Sequence, residues 1–176
     1  PPIKLQEKVG AEGGNLAVGD GYLLVASEDK LVVFCQNRRL IERFREATAL
    51  APEQAQNYYR LALAAESSGM SELAMEHLKL TLSKAKPNEV VDGLPLMEAV
   101  RDHQHRIYMQ QGYAAKEKED WDLALSNFAS AGEIARMPRD RLTATLELAE
   151  SQAGSKRFKE AVKTLQSVLA DPNLRS

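Results

Sequence analysis

The chain has 176 residues, 44% of them hydrophobic, and sets 23 Lys and Arg against 25 Asp and Glu for a formal net charge of −2. That is the make-up of an ordinary globular chain of one or two domains. It lacks the basic surplus of a nucleic-acid binder, Arg38-Arg39 and Lys156-Arg157 being its longest basic clusters, and no apolar run approaches the roughly 20 residues that cross a bilayer.

The chain opens Pro-Pro, without Met and without a charged then apolar leader, and reads as a piece of a longer protein. Up to Asn37 the apolar period is about two. GNLAV, GYLLVAS and KLVVFC are short runs separated by the turn sequences Gly19-Asp20-Gly21 and Glu28-Asp29-Lys30, which predicts a three-stranded antiparallel meander; IKLQEKV is a candidate fourth strand. Cys35 is the only cysteine, so neither an internal disulfide nor a thiolate metal cluster is expected, and in LVVFC it reads as a half-buried bystander. The string GNLAVGDGYLLVASEDKLVVF resembles one blade of a quinoprotein-like β-propeller. That resemblance implies a last blade whose companions lie upstream of Pro1, in a periplasmic or envelope protein. One blade encloses no quinone, because a propeller needs several around a centre. The alternative is a meander that simply packs on the first helix.

From Arg38 the period becomes helical. Leu40, Ile41 and Phe44 lie on one face of a helix over 38–50 and are expected to join the sheet to the hairpins in one core, with Pro52 closing that helix and opening the next. This places a domain boundary near Asn37, between a meander (1–37) and a helical domain (38–176). Over Ala55 to Pro87, Leu61, Ala62 and Ala65 share a face of one helix and Leu73, Ala74, Leu78 and Leu82 a face of the next. Gly69 supplies a left-handed helix end between them, and Ser71 an N-cap. Asn88 to Gly93 reads as a loop, and a long helix is predicted from about Pro95 to Lys118. Asp120 is the expected N-cap of the next helix, Met137-Pro138 starts the last hairpin, and Gly154-Ser155 is its turn.

The pattern recurs. Ala74, Ala124 and Ala161 hold one position, with Leu78, Phe128 and Leu165 four residues later. Ala62, Gly112 and Ala149 are their companions in the preceding helices, and Trp121 and Phe158 stand three residues before the later two alanines. In Leu61, Ala62, Ala65, Gly69, Ala74 and Leu78, then Gly112, Ala115, Ala124, Phe128 and Ala131, then Leu148, Ala149, Ala161, Leu165 and Val168, the chain resembles the tetratricopeptide repeat over about residues 38–172. LIERFREATALAP resembles a lone second helix through Phe44, Ala47 and Pro52. The resemblance implies a mainly α fold, a right-handed superhelix of about seven helices in hairpins, with a small N-terminal antiparallel β-meander. The marker alanines depart from the family's period of 34, being 50 and 37 residues apart (124 − 74 and 161 − 124). No polar capping helix follows the last hairpin before DPNLRS, so its apolar flank is expected to be open.

Catalysis is not expected. His103 and His105 project about 200° apart on a helix and cannot grip one metal, which leaves them as solvated helix residues. No nucleophile elbow or phosphate-binding loop is present, and Glu117, Glu119 and Asp120, with Lys116 and Lys118 between them, read as a solvated helix end. No metal or cofactor is expected. If the hairpins curve as in tetratricopeptide proteins, the first helices line the concave side. The resemblance then gives Gln56, Tyr59, Arg60, Leu63, Arg106, Met109, Gln110 and Tyr113 as partner-binding candidates. The carboxylate clamp of chaperone-binding members would want Lys and Asn where Tyr59 and Leu63 stand. The leading reading is a protein-interaction scaffold for a peptide or partner protein. The rival is a C-terminal segment bracing a larger propeller, either a quinoprotein-type enzyme or an envelope assembly factor. Self-association is expected from the open sheet edge and the uncapped last hairpin.

Overall fold

The computed structural model describes residues 15–19, 22–26 and 31–172. The candidate strand in IKLQEKV and the turns at 20–21 and 27–30 lie outside them. Strands β1 (Asn15–Gly19), β2 (Tyr22–Ala26) and β3 (Leu31–Cys35) form an antiparallel meander in that order, with Leu16 opposite Val25 and Val25 opposite Val32. Alternation puts Leu16, Val18, Leu23, Val25, Val32 and Phe34 on one face. Only Val25 among the described strand residues is fully buried, whereas Leu16 and Val18, and Leu31 and Val33 on the opposite face, stay exposed.

The remainder is a tetratricopeptide-like stack of hairpins. Seven helices occur among the described residues: α1 (Asn37–Leu50), α2 (Ala55–Ser67), α3 (Ser71–Lys84), α4 (Leu96–Glu117), α5 (Trp121–Ile134), α6 (Pro138–Gly154) and α7 (Phe158–Ala170). Hairpins α2/α3, α4/α5 and α6/α7 succeed one another, with α1 as a half-hairpin in front. The marker alanines sit three residues into their helices, at Ala74, Ala124 and Ala161, and all are buried; so are Ala62, Gly112 and Ala149, each five residues from the end of the preceding helix. Small residues there let the axes approach. A Cβ on Gly112 would lie 2.6 Å from the Phe128 ring, so the absent side chain is what admits the aromatic.

The three turns inside hairpins repeat one geometry. After the last helical residue and one more comes a residue with positive φ: Gly69 (+73°), Glu119 (+57°) and Lys156 (+64°). Its successor donates its N–H back to the carbonyl of Ala65, Ala115 or Gln152. Gly154 is therefore not the left-handed residue of the third turn. It is the last residue of α6, and a Cβ there would meet the Trp121 ring at 2.7 Å. Likewise Ser71 begins α3 while Met70 occupies its cap, whereas Asp120 does cap α5, accepting from the Leu123 N–H at 3.3 Å.

Three expectations about the connections change. Leu40, Ile41 and Phe44 cluster with Leu61 and Ala64 of α2, and among the described residues that cluster holds no strand residue, so the single core expected to span sheet and hairpins is not formed there. One stripe serves one neighbour, and α1 turns its stripe to α2. Pro52 lies in the turn, with α2 beginning three residues later at Ala55, and the buried Asn57 ties the two helices by donating to the Ala47 carbonyl at 3.1 Å. The segment before α4 carries a small hairpin, β4 (Val90–Val91) and β5 (Leu94–Pro95), turning through Asp92 and Gly93, both at positive φ. Asp-Gly favours that two-residue turn.

At 22 residues α4 outruns its 14-residue partner α5 by eight, about two turns. Its first half, through Leu96, Ala99, Val100 and Ile107, belongs to the core of hairpin α2/α3. Met109 and Ala115 belong to the next core with Phe128, Ala131 and Ala144.

Candidate partner-binding face

The first helices of successive hairpins, α2, α4 and α6, are joined by polar clusters on one face. At the α2–α4 join, Glu66 accepts from Arg106 Nε at 2.7 Å and lies 2.8 Å from His103 Nδ1; the Arg106 guanidinium also touches the His103 ring. The Tyr59 ring stands edge-on to His103 with centroids 5.5 Å apart. Burial raises the Glu66 carboxyl, but hydrogen bonds from His103 and Arg106 and their charges outweigh it and hold the group below its ordinary value. At the α4–α6 join, Lys116 Nζ lies 2.8 Å from both Glu147 and Glu150, and the Tyr113 hydroxyl donates to Glu147 at 3.2 Å. Burial lowers the Lys116 ammonium, and its two carboxylate partners more than reverse that, leaving it raised; the Tyr113 hydroxyl is raised by burial and by Glu147.

The eight candidates from the sequence divide along these joins. Tyr59 and Met109 are core residues, 4% and 8% exposed, and offer nothing to a partner. Burial, with nearby Asp92, keeps the Tyr59 hydroxyl above its usual range. Gln56 is half-buried and its amide reaches the Val90 carbonyl at 3.4 Å, tying α2 to the small hairpin. Arg106 is engaged with Glu66. Arg60 and Gln110 are exposed, Tyr113 is exposed with its ring edge-on to Phe128 at 5.3 Å, and Leu63 is half-buried. Arg60 and Leu63 line an open notch of about 260 Å³ between α1 and α2, together with Leu40, Phe44, Ala64 and Ser67.

His103 and His105 are not the solvated residues expected. His103 faces back to Glu66, and His105 Nδ1 lies 3.0 Å from the Ala131 carbonyl on α5, so the two do point apart but each meets a neighbouring helix. Sequence reasoning missed Glu66, Lys116 and Glu147 as the groups that fasten the first helices. The available signal was spacing: Glu66 follows Tyr59 and Leu63 by seven and three residues, which puts all three on one stripe.

No protein-family model matches this chain, and no curated protein matches it. Among solved structures it is similar to the one described as "Crystal structure of MamA protein", at a TM-score of 0.41 and 17% identity, covering 76% of this chain and 63% of that one. The chain thus spans less than two-thirds of that neighbour's length.

Proposed function

We propose that the chain is a protein-interaction scaffold that holds a peptide or partner protein across α2, α4 and α6. The observation that carries this reading is that exposed Arg60, Gln110 and Tyr113 stand on helices whose mutual positions are fixed by the Glu66 and Glu147 clusters. Donor groups on a rigid surface bind with less ordering cost than donors on a loop. Arg and Tyr are also the side chains that most often dominate binding energy. Arg60 makes no hydrogen bond or ion pair among the described residues, so its guanidinium is available at the rim of the α1–α2 notch.

Peptides selected from a displayed library against the chain, titrated by calorimetry, test this. Arg60→Ala with Gln110→Ala should weaken the selected peptides about tenfold or more at an unchanged melting temperature. Equal affinity for the double variant overturns the face.

The sheet favours a second reading. Leu16 and Val18 on one face and Leu31 and Val33 on the other are exposed together, which suits a sheet sandwiched between further sheets better than one covered on a single side. We infer that residues 1–37 are a blade of a larger propeller, distinct from a helical domain over 38–176 that braces it. Reading the encoded residues before Pro1 decides this: several stretches like GNLAVGDGYLLVAS support it, and their absence removes it.

A further inference from the structure

Helix α7 carries an apolar stripe that nothing among the described residues covers. Phe158, Val162, Leu165 and Leu169, spaced four, three and four residues apart, are between 44% and 68% exposed. The corresponding residues on the other second helices are covered, Leu78 at 1% and Phe128 at 0% exposed, because α4 and α6 lie over them. Lys159 and Lys163, one turn apart, come next to stripe residues on the solvent side and enter no ion pair among the described residues. The spacing is that of a helix that lies in a groove by its a and d positions.

The same chain holds a groove of complementary character. Helix α3 meets α4 but makes almost no contact with α5, so α4 forms the floor of an open cleft of about 610 Å³. Leu80 on α3 and the Tyr108 ring on α4, both half-buried, give it an apolar lining, with the core residue Met75 beneath them. Glu72 and Glu76, also one turn apart and in no ion pair among the described residues, form its lip, with Lys79 the one cation on the wall. From Glu72 to Ser83 the wall runs 11 residues, about 17 Å, and the α7 stripe from Phe158 to Leu169 also runs 11 (83 − 72 and 169 − 158).

We propose that α7 of one copy docks in the α3–α4 groove of a second copy, its stripe against Leu80 and Tyr108 and its Lys159 and Lys163 against Glu72 and Glu76. The contact is heterologous, helix to groove, and not a symmetric pairing of two α7 helices. It uses no residue of the partner-binding face, so the two readings fail separately. Its four anchoring side chains make a small interface of the transient kind, with association expected at about 10–100 µM.

Sedimentation velocity on the chain and two surface double variants tests it. At about 100 µM the chain should sediment at a mass at least twice its 19.5 kDa. Glu72→Lys with Glu76→Lys, and separately Lys159→Glu with Lys163→Glu, should each sediment as single chains with unchanged circular dichroism. Mixing the two variants should restore association, since the basic α7 of the first meets the acidic groove of the second. A single-chain mass for the unaltered protein overturns the proposal. So does a groove variant that associates as well as the unaltered chain, the result expected of symmetric α7 pairing.

Discussion

The middle hairpin and the last one are written in nearly the same pattern and end in different states. Four residues after its marker alanine, α5 presents Phe128, which is fully buried; four residues after its own, α7 presents Leu165, 44% exposed. The difference lies in the next helix along. Helix α6 covers α5 with Ala144 and Leu148, and nothing among the described residues covers α7. An apolar stripe states a demand for cover, and the neighbour decides whether the demand is met.

The largest effect that would break this comparison is at Phe128. Phe128→Ala should cost about 3–5 kcal/mol in urea unfolding, whereas Leu165→Ala should cost about 1 kcal/mol or less because most of its transfer energy is not realised. Similar costs would mean that α7 is covered in solution. Second, Glu66→Gln should remove about 1.5–3 kcal/mol at neutral pH, since it strips a charged acceptor from Arg106 and His103. The carboxyl is held below its ordinary value in the fold, so its contribution is present above about pH 4.3 and is lost as pH falls through the lowered value. The gap between Glu66→Gln and the unaltered chain should therefore close on acidification, and a gap that stays constant to pH 2.5 (about the lower end of the usual carboxylate range) would deny the cluster its role.

Smaller still are the glycines under aromatic rings. Gly112→Ala and Gly154→Ala should each cost about 1–3 kcal/mol by thermal melting, because the new methyl meets Phe128 in one case and Trp121 in the other. A neutral result at Gly154 alone would show the last hairpin to be looser than the middle one. The smallest change should be a gain. Glu119→Gly and Lys156→Gly, at positive φ where Gly69 stands in the first turn, should each raise stability by about 0.5–1 kcal/mol.

Much of the fold was legible because the hairpin contacts are local. Ala74, Ala124 and Ala161 announced the unit, Pro138 the start of α6, and the long gap before Ala124 a helix that runs from Leu96 to Glu117. What stayed hidden depends on the neighbour a side chain meets. Tyr59 and Gln110 are both polar-tipped residues on first helices, but His103 and Glu66 close over one and not over the other. Lys156 in the left-handed region could not be inferred from its type, since the preceding glycine was the natural choice and proved to be needed beneath Trp121. The turn at Asp92-Gly93 was readable in principle, and the strands beside it, two residues each, were too short to register as a period.

Repeat arrays ordinarily lose their end units one at a time, because each unit is stabilised by itself and by one interface. Here Leu96 and Val100 are embedded in one core and Ala115 in the next, on a single continuous rod, and Tyr108 touches both. Opening either hairpin exposes part of the other's interior, so the amides of α2 through α5 should exchange with solvent in one cooperative event while those of α7 fray ahead of it.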